Sequence, residues 1–168
     1  MFTTLFGEDK LSKLEYAKLL ISLSNNRSAV SLRREPDLVH EISFRTYDTS
    51  NDEKITLNCK PGIYAIFRRK FNDVECLYVG CSDCSISYRL YRFIKELEGK
   101  SRKDEDHPAA KKARKDGVKS TDDLFARYIL KEDIIRSTDP FYHQWYDDID
   151  EYMAYLLDAR YNTVKRKF

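Results

Sequence analysis

The run Lys60-Pro61-Gly62-Ile63-Tyr64-Ala65-Ile66-Phe67, followed across a short polar stretch by Leu77-Tyr78-Val79-Gly80, constrains this chain more than any other part of it. The first arm is rich in β-branched and aromatic residues, and Pro61 suits a strand start that needs no ladder donor. Lys70 to Val74 carries an Asn-Asp turn signal. The segment therefore predicts a β-hairpin with a tyrosine in each arm. Loop parity decides where the phenols go. A two-residue Asn72-Asp73 turn would pair Tyr64 with Cys81 and send Tyr64 and Tyr78 to opposite faces, because side chains alternate along a strand. An odd loop centred on Phe71 or Asn72 puts both on one face, directly opposite or on a diagonal. The odd loop is the expectation.

The chain has 168 residues, 35% of them charged and 42% apolar, which describes a globular protein with one core. No apolar run approaches the roughly 20 residues of a membrane span. Met1 to Lys10 lacks the basic lead and apolar core of a secretion signal, so the default expectation is the cytoplasm. The net charge of +2 conceals a segregation: residues 86–119 carry +5 and residues 160–168 carry +4, whereas residues 120–159 carry −7. That is the footprint of a phosphate-binding face beside a carboxylate-bearing region able to hold a metal; solvated helix faces are the plainer account.

In chain order, Lys10 to Ser24 reads as an amphipathic helix stopped by Asn25-Asn26. Val39 to Tyr47 and Lys54 to Asn58 read as strands that pad or extend the following sheet. Cys81 to Cys84 reads as a loop and Ser85 as the N-cap of a helix whose apolar stripe is Ile86, Leu90, Phe93, Ile94 and Leu97. On that helix Arg89 flanks the stripe and can reach over the sheet, while Arg92 points away. His107-Pro108 opens a short helix ended by Gly117; its Lys111, Lys112, Arg114 and Lys115 suit a phosphate backbone, as do Lys165, Arg166 and Lys167 near the end. His107 is a candidate acid or base by residue type alone, read as a surface histidine. Leu124 to Leu130 is a further strand, with Phe125, Arg127 and Ile129 on one face and Leu124, Ala126 and Tyr128 on the other. The last helix spans about Tyr146 to Ala159. Packing is the first reading of the aromatic cluster Phe141, Tyr142, Trp145 and Tyr146 that lies at its start. The cysteines at 59, 76, 81 and 84 make a tetrahedral zinc site conceivable and reduced thiols the default.

Gly62-Ile63-Tyr64 with Tyr78-Val79-Gly80 resembles the paired signature of the GIY-YIG nuclease family, valine replacing the usual isoleucine. The resemblance covers about Pro61 to Val164. It implies an active-site arginine on the helix after the second tripeptide, which Arg89 matches with about one extra residue of spacing. It also implies a metal-binding carboxylate on the last helix and an asparagine about a dozen residues later. Asn162 fits the asparagine, with Ala159 where proline is common. For the carboxylate, helix phase favours Asp150, whereas Glu151 has the family's side-chain type but points away on an ideal helix. Cys81 stands where a lysine often follows the second glycine, and Phe93 where some members carry a histidine.

The expected fold is α+β, a small and largely antiparallel sheet with flanking helices, with residues 1–60 as a helix and hairpin extension of a 61–168 nuclease-like domain. The function implied by the resemblance is a Mg2+- or Mn2+-dependent endonuclease acting on double-stranded DNA. Tyr64 would serve as general base, Tyr78 would orient water or phosphate, Arg89 would stabilise charge, Asp150 or Glu151 would hold the metal, and Asn162 would brace the site. Arg92 would at most support binding. A homodimer through the N-terminal helix suits paired cuts at a palindrome, and the alternative is a monomer that nicks with weak sequence preference. The alternatives are a nucleic-acid-binding module with a degraded site and a zinc-stabilised interaction domain.

Overall fold

The computed structural model describes residues 40–46, 60–132 and 149–162. The helix expected over Lys10–Ser24, the strand over Lys54–Asn58, Cys59, the aromatic cluster at 141–146 and the basic residues Lys165, Arg166 and Lys167 lie outside the described residues.

Four strands form one antiparallel sheet: β1 (His40–Ser43), β2 (Gly62–Lys70), β3 (Asp73–Ser82) and β4 (Leu124–Leu130), in the spatial order β1-β4-β2-β3. Three helices accompany it among the described residues: α1 (Ile86–Leu97), α2 (Pro108–Lys115) and α3 (Ile149–Leu156). The architecture is α+β. The strand expected over Val39–Tyr47 ends early, at Ser43. A 3-10 turn at Phe44–Thr46 follows and tucks Phe44 into the core, edge-on to Phe93.

The β2–β3 hairpin corrects the expected loop. Its turn is the two-residue Phe71-Asn72, with Lys70 paired to Asp73, so the odd loop does not form. The register nevertheless changes between Phe67, which faces Cys76, and Ile66, which faces Tyr78. Leu77 is the extra residue of a β-bulge. Beyond it Tyr64 faces Gly80, so the two phenols share a face on a diagonal. The bulge supplies the odd residue that the turn does not. It also lets two neighbours in one strand enter the same cluster: Leu77 is fully buried with Ile66, Leu90 and Phe93, and Tyr78 packs on that cluster.

The sheet is covered on both sides. Tyr64, Ile66, Leu124 and Ala126 meet α1 and the Ala109, Ala110 and Ala113 face of α2. Ile63, Ala65, Val79 and Ile129 meet Met153, Ala154 and Ala159 at α3. Each large apolar side chain so buried contributes about 1.5–3 kcal/mol, which explains why β2 reads as an unbroken apolar run. The predicted stripe of α1 is buried throughout, and the Ser85 hydroxyl accepts the Tyr88 N–H at 3.2 Å as its N-cap. Cys81 belongs to β3, which runs on to Ser82, rather than to a loop. At the far end of α2, Gly117 takes φ +83° while Val118 N–H returns to the Ala113 carbonyl at 3.0 Å, a chain reversal that favours glycine. No helix among the described residues is long and apolar enough to cross a membrane.

An ionic cluster fixes the outer half of the hairpin. Glu75 accepts from Arg68 at 2.7 Å and from Arg160 at 2.9 Å and lies 3.3 Å from Lys70. Partial burial opposes its charge, but the three cations outweigh burial and hold its carboxyl down at about 2. A carboxyl depressed in the folded state stabilises the fold above its unfolded pKa, and that contribution is lost as pH falls through the folded value. Glu75→Gln is therefore expected to cost about 1–2 kcal/mol at neutral pH after allowance for solvent screening, and to flatten the stability profile between about pH 4.5 and 2. Urea titrations at stepped pH measure both effects.

Candidate active site

Register places the tyrosines in ranks that run across the sheet. One rank is His40, Tyr128, Tyr64 and Gly80; the next is Ile42, Ala126, Ile66 and Tyr78. Both glycines of the motif have steric reasons. A Cβ on Gly80 would lie 2.6 Å from the Tyr64 hydroxyl oxygen, so the Tyr64 ring rests on the strand where that side chain would be. A Cβ on Gly62 would lie 2.3 Å from the Ile129 carbonyl oxygen and 2.5 Å from Ile86 Cδ1, so this glycine lets β4 and α1 close on β2.

The phenol rings of Tyr64 and Tyr78 lie 6.1 Å apart, close enough for the Tyr64 hydroxyl to favour the ionised form of Tyr78. Tyr64 is only 2% exposed, and burial, reinforced by the neighbouring phenol, pushes its pKa far above the ordinary value. Burial and then Asp150 raise that of Tyr78, while Arg89 and the Tyr64 hydroxyl oppose the rise. The burial of Tyr64 opposes the role expected for it as base toward water. A phenol sealed beneath the sheet face is neither reachable by solvent nor inclined to ionise, and the half-buried Tyr78 is the better placed of the two.

Arg89 and Asp150 both act electrostatically on Tyr64 and on Tyr78, which brings α1 and the first turn of α3 to the same pair of phenols. Arg92 is occupied elsewhere: its Nε and Nη2 donate to the Glu105 and Asp106 carbonyls, both at 3.1 Å. Glu151 does not point to solvent as ideal helix phase suggests, since its Oε2 is buried. Asn162 clasps the edge strand. Its Oδ1 accepts the Val79 N–H at 2.9 Å and its Nδ2 donates to the Val79 carbonyl at 2.8 Å, between Tyr78 and Gly80. Arg160 and Tyr161 add backbone bonds to Cys76 and Leu77, so residues 160–162 line β3 across the bulge. Asn162→Ala is expected to lower stability by about 1–2 kcal/mol. Asn162→Asp, which keeps the acceptor but sets a carboxylate against the Val79 carbonyl, should be at least as damaging. Denaturant titration checks both.

His107 is buried, not on the surface. Its ring stands edge-on to Tyr78 at 5.0 Å and to Phe93 at 5.2 Å, and its Nδ1 accepts the Ala110 N–H as the N-cap of α2. Burial, with Arg92 and Arg89 nearby, lowers its pKa to about 4. The ring is thus neutral at neutral pH with its proton on Nε2, a donor rather than a base. Residue type alone shows none of this, nor the stacking of His40 on Tyr128 at 5.0 Å in the rank beside Tyr64.

The expected basic helix divides. Arg114 braces α2 to α1 by an ion pair with the buried Glu96 at 3.2 Å and a bond to the Glu96 carbonyl at 3.0 Å, a structural use that the sequence did not suggest. Lys111 lies 3.5 Å from Asp106, whereas Lys112 and Lys115 line a hollow of about 300 Å³ with Arg160, Asp116 and Tyr161. Among the described residues no three His, Cys, Asp or Glu side chains converge as a metal site. Cys76 is buried in the α3-side core with its thiol pushed up to about 12, while Cys84 is exposed, so the zinc arrangement does not assemble there. A magnesium-type ion needs less, since it is commonly held by one or two carboxylates together with water and substrate phosphate oxygens; Asp150 beside the phenols fits that donor set.

No family model matches the chain, and no curated protein or solved structure matches it either.

Proposed function

We propose that the chain is a divalent-metal-dependent endonuclease of GIY-YIG type that hydrolyses phosphodiester bonds in double-stranded DNA. One observation carries the reading. Tyr64 and Tyr78 lie side by side, Arg89 and Asp150 act electrostatically on both, and Asn162 holds the Val79 peptide between Tyr78 and Gly80. These are the positions at which the sequence resembles the family.

In this reading Tyr78 takes a proton from the attacking water, and Tyr64 beneath it favours the phenolate. A free phenol has a pKa of about 10, so the base depends on positive charge. Arg89 supplies part of it and also faces the charge that develops on the phosphate. Asp150 holds the metal ion, which when bound supplies Lewis-acid stabilisation of the phosphate and leaving oxygens. Asn162 keeps β3 in place beneath Tyr78 and acts as a positioning residue. Lys112, Lys115 and Arg160 offer sequence-independent phosphate contacts, each adding roughly −0.9 to the slope of log affinity against log salt.

The test is supercoiled plasmid incubated with the full chain, with and without Mg2+ or Mn2+. Metal-dependent nicked or linear product supports the proposal, and early linear product points to a dimer. The burial of Tyr64 favours a second reading, a DNA-binding module that does not cleave. Salt-sensitive binding with intact plasmid under both metals would select it.

A further inference from the structure

The tip of the β2–β3 hairpin is built against the interests of the fold. Phe71 is fully exposed and holds φ +49°, a left-handed backbone that a bulky side chain adopts only under strain. It occupies the first central position of a two-residue turn, and Asn72 after it has no positive φ. In a hairpin turn with that pattern the position normally belongs to glycine. Val74, also exposed, extends the apolar tip, and Lys70 stands half-exposed beside it. A glycine at 71 would relieve the strain and remove the exposed ring at once, so neither stability nor solubility accounts for phenylalanine.

The tip is continuous with a charged edge. From Lys70 and Arg68 the Glu75 cluster leads through Arg160 to Asp116, and from there to Lys112 and Lys115 around the hollow at the end of α2. Five cations and three carboxylates lie along this path, counting Asp122 beside Arg68, and Arg160 holds its middle against β3. The hairpin sets the spacing, because seven residues separate Tyr64 from Phe71. Strand rise makes that roughly 20 Å, on the order of six base pairs of duplex.

We propose that Phe71 is a stacking wedge for nucleic acid, inserting its ring against bases several pairs from the phenol site while the β3 edge follows the phosphate backbone. A duplex fits better than a lipid surface. The apolar element is a single ring on a narrow turn rather than a broad amphipathic face, and the basic path is a line. This inference rests on the DNA reading above, and its test measures binding, not cleavage.

The experiment uses the full chain without divalent metal and short duplexes carrying 2-aminopurine at successive positions, whose fluorescence reports loss of stacking. Wild type is expected to raise the signal at a confined position. Phe71→Ala is expected to abolish that signal and to weaken binding about 5- to 100-fold, as for loss of one base–aromatic contact. Phe71→Gly should bind as poorly while melting a few degrees higher, which separates binding from folding. If wild type binds the duplex in a salt-sensitive way and Phe71→Ala matches it in affinity and signal, the wedge is overturned and the DNA reading stands. If wild type does not bind duplex at all, both fall. Phe71-dependent binding to phosphatidylserine vesicles with unchanged duplex affinity would overturn the wedge in favour of a lipid contact.

Discussion

Tyr78→Phe is expected to reduce plasmid cleavage by about 10²- to 10⁴-fold, the range for loss of a general base, while leaving the fold and duplex affinity intact. The change removes one hydroxyl from a ring already packed against Tyr64, Phe93 and His107. Tyr64→Phe should behave differently. It removes the hydroxyl that favours the Tyr78 phenolate, so the Tyr78 pKa rises and the ascending limb of the pH–rate profile moves to higher pH. Activity lost at neutral pH should then be partly recovered under alkaline conditions. If Tyr64→Phe is the more damaging change and its profile does not move, the base is Tyr64. Arg89→Ala should cost at least about 10²-fold because both phenols lose the cation that favours their ionised forms. Arg92→Ala, which releases only two loop carbonyls, should act on stability and spare turnover.

A methyl group at either motif glycine should have a large effect, of two different kinds. Gly62→Ala drives its Cβ into the Ile129 carbonyl and the Ile86 side chain, and a central ladder cannot yield to it. The expected cost is about 3 kcal/mol or more, enough to unfold a marginal domain. Gly80→Ala meets the end of the Tyr64 side chain and the Tyr78 ring instead. Those rings can move, so about 1–2 kcal/mol should be lost from stability while cleavage disappears because the phenols are pushed apart. Thermal melts beside plasmid assays separate the two. An alanine at 80 that keeps wild-type turnover would remove the ring pair from the mechanism.

What could be read from the residues was what local periodicity encodes. The α1 stripe, its Ser85 cap and the two faces of Leu124–Leu130 follow from spacing alone, and all three stand in the structure. The phenols were expected on one face and lie there, but the reason for it was hidden. A bulge at an apolar residue leaves no signature, because Leu77 looks like any strand leucine. Asn-Asp also suggested a turn one residue later than Phe71-Asn72. Partners distant in sequence were equally illegible. Nothing in a helix bearing four cations marks Arg114 as the one tied to a glutamate 18 positions earlier, and nothing near His107 announces that Tyr78 will lie against it. The Glu151 phase failed for a related reason: ideal geometry specifies a direction, not what packs there.

The bulge at Leu77 has a mechanical consequence for the hairpin. A three-residue loop over residues 71–73 without a bulge would give the same pairing from Ile66–Tyr78 inward, but it would turn Leu77 to the α3 side of the sheet and empty its place beside Ile66, Leu90 and Phe93. The burial of Leu77 therefore ties the register of the outer hairpin to the cluster on which the phenols rest. The salt cluster around Glu75 acts in the same direction, since it spans the outer segment and is anchored by Arg160 from outside the hairpin.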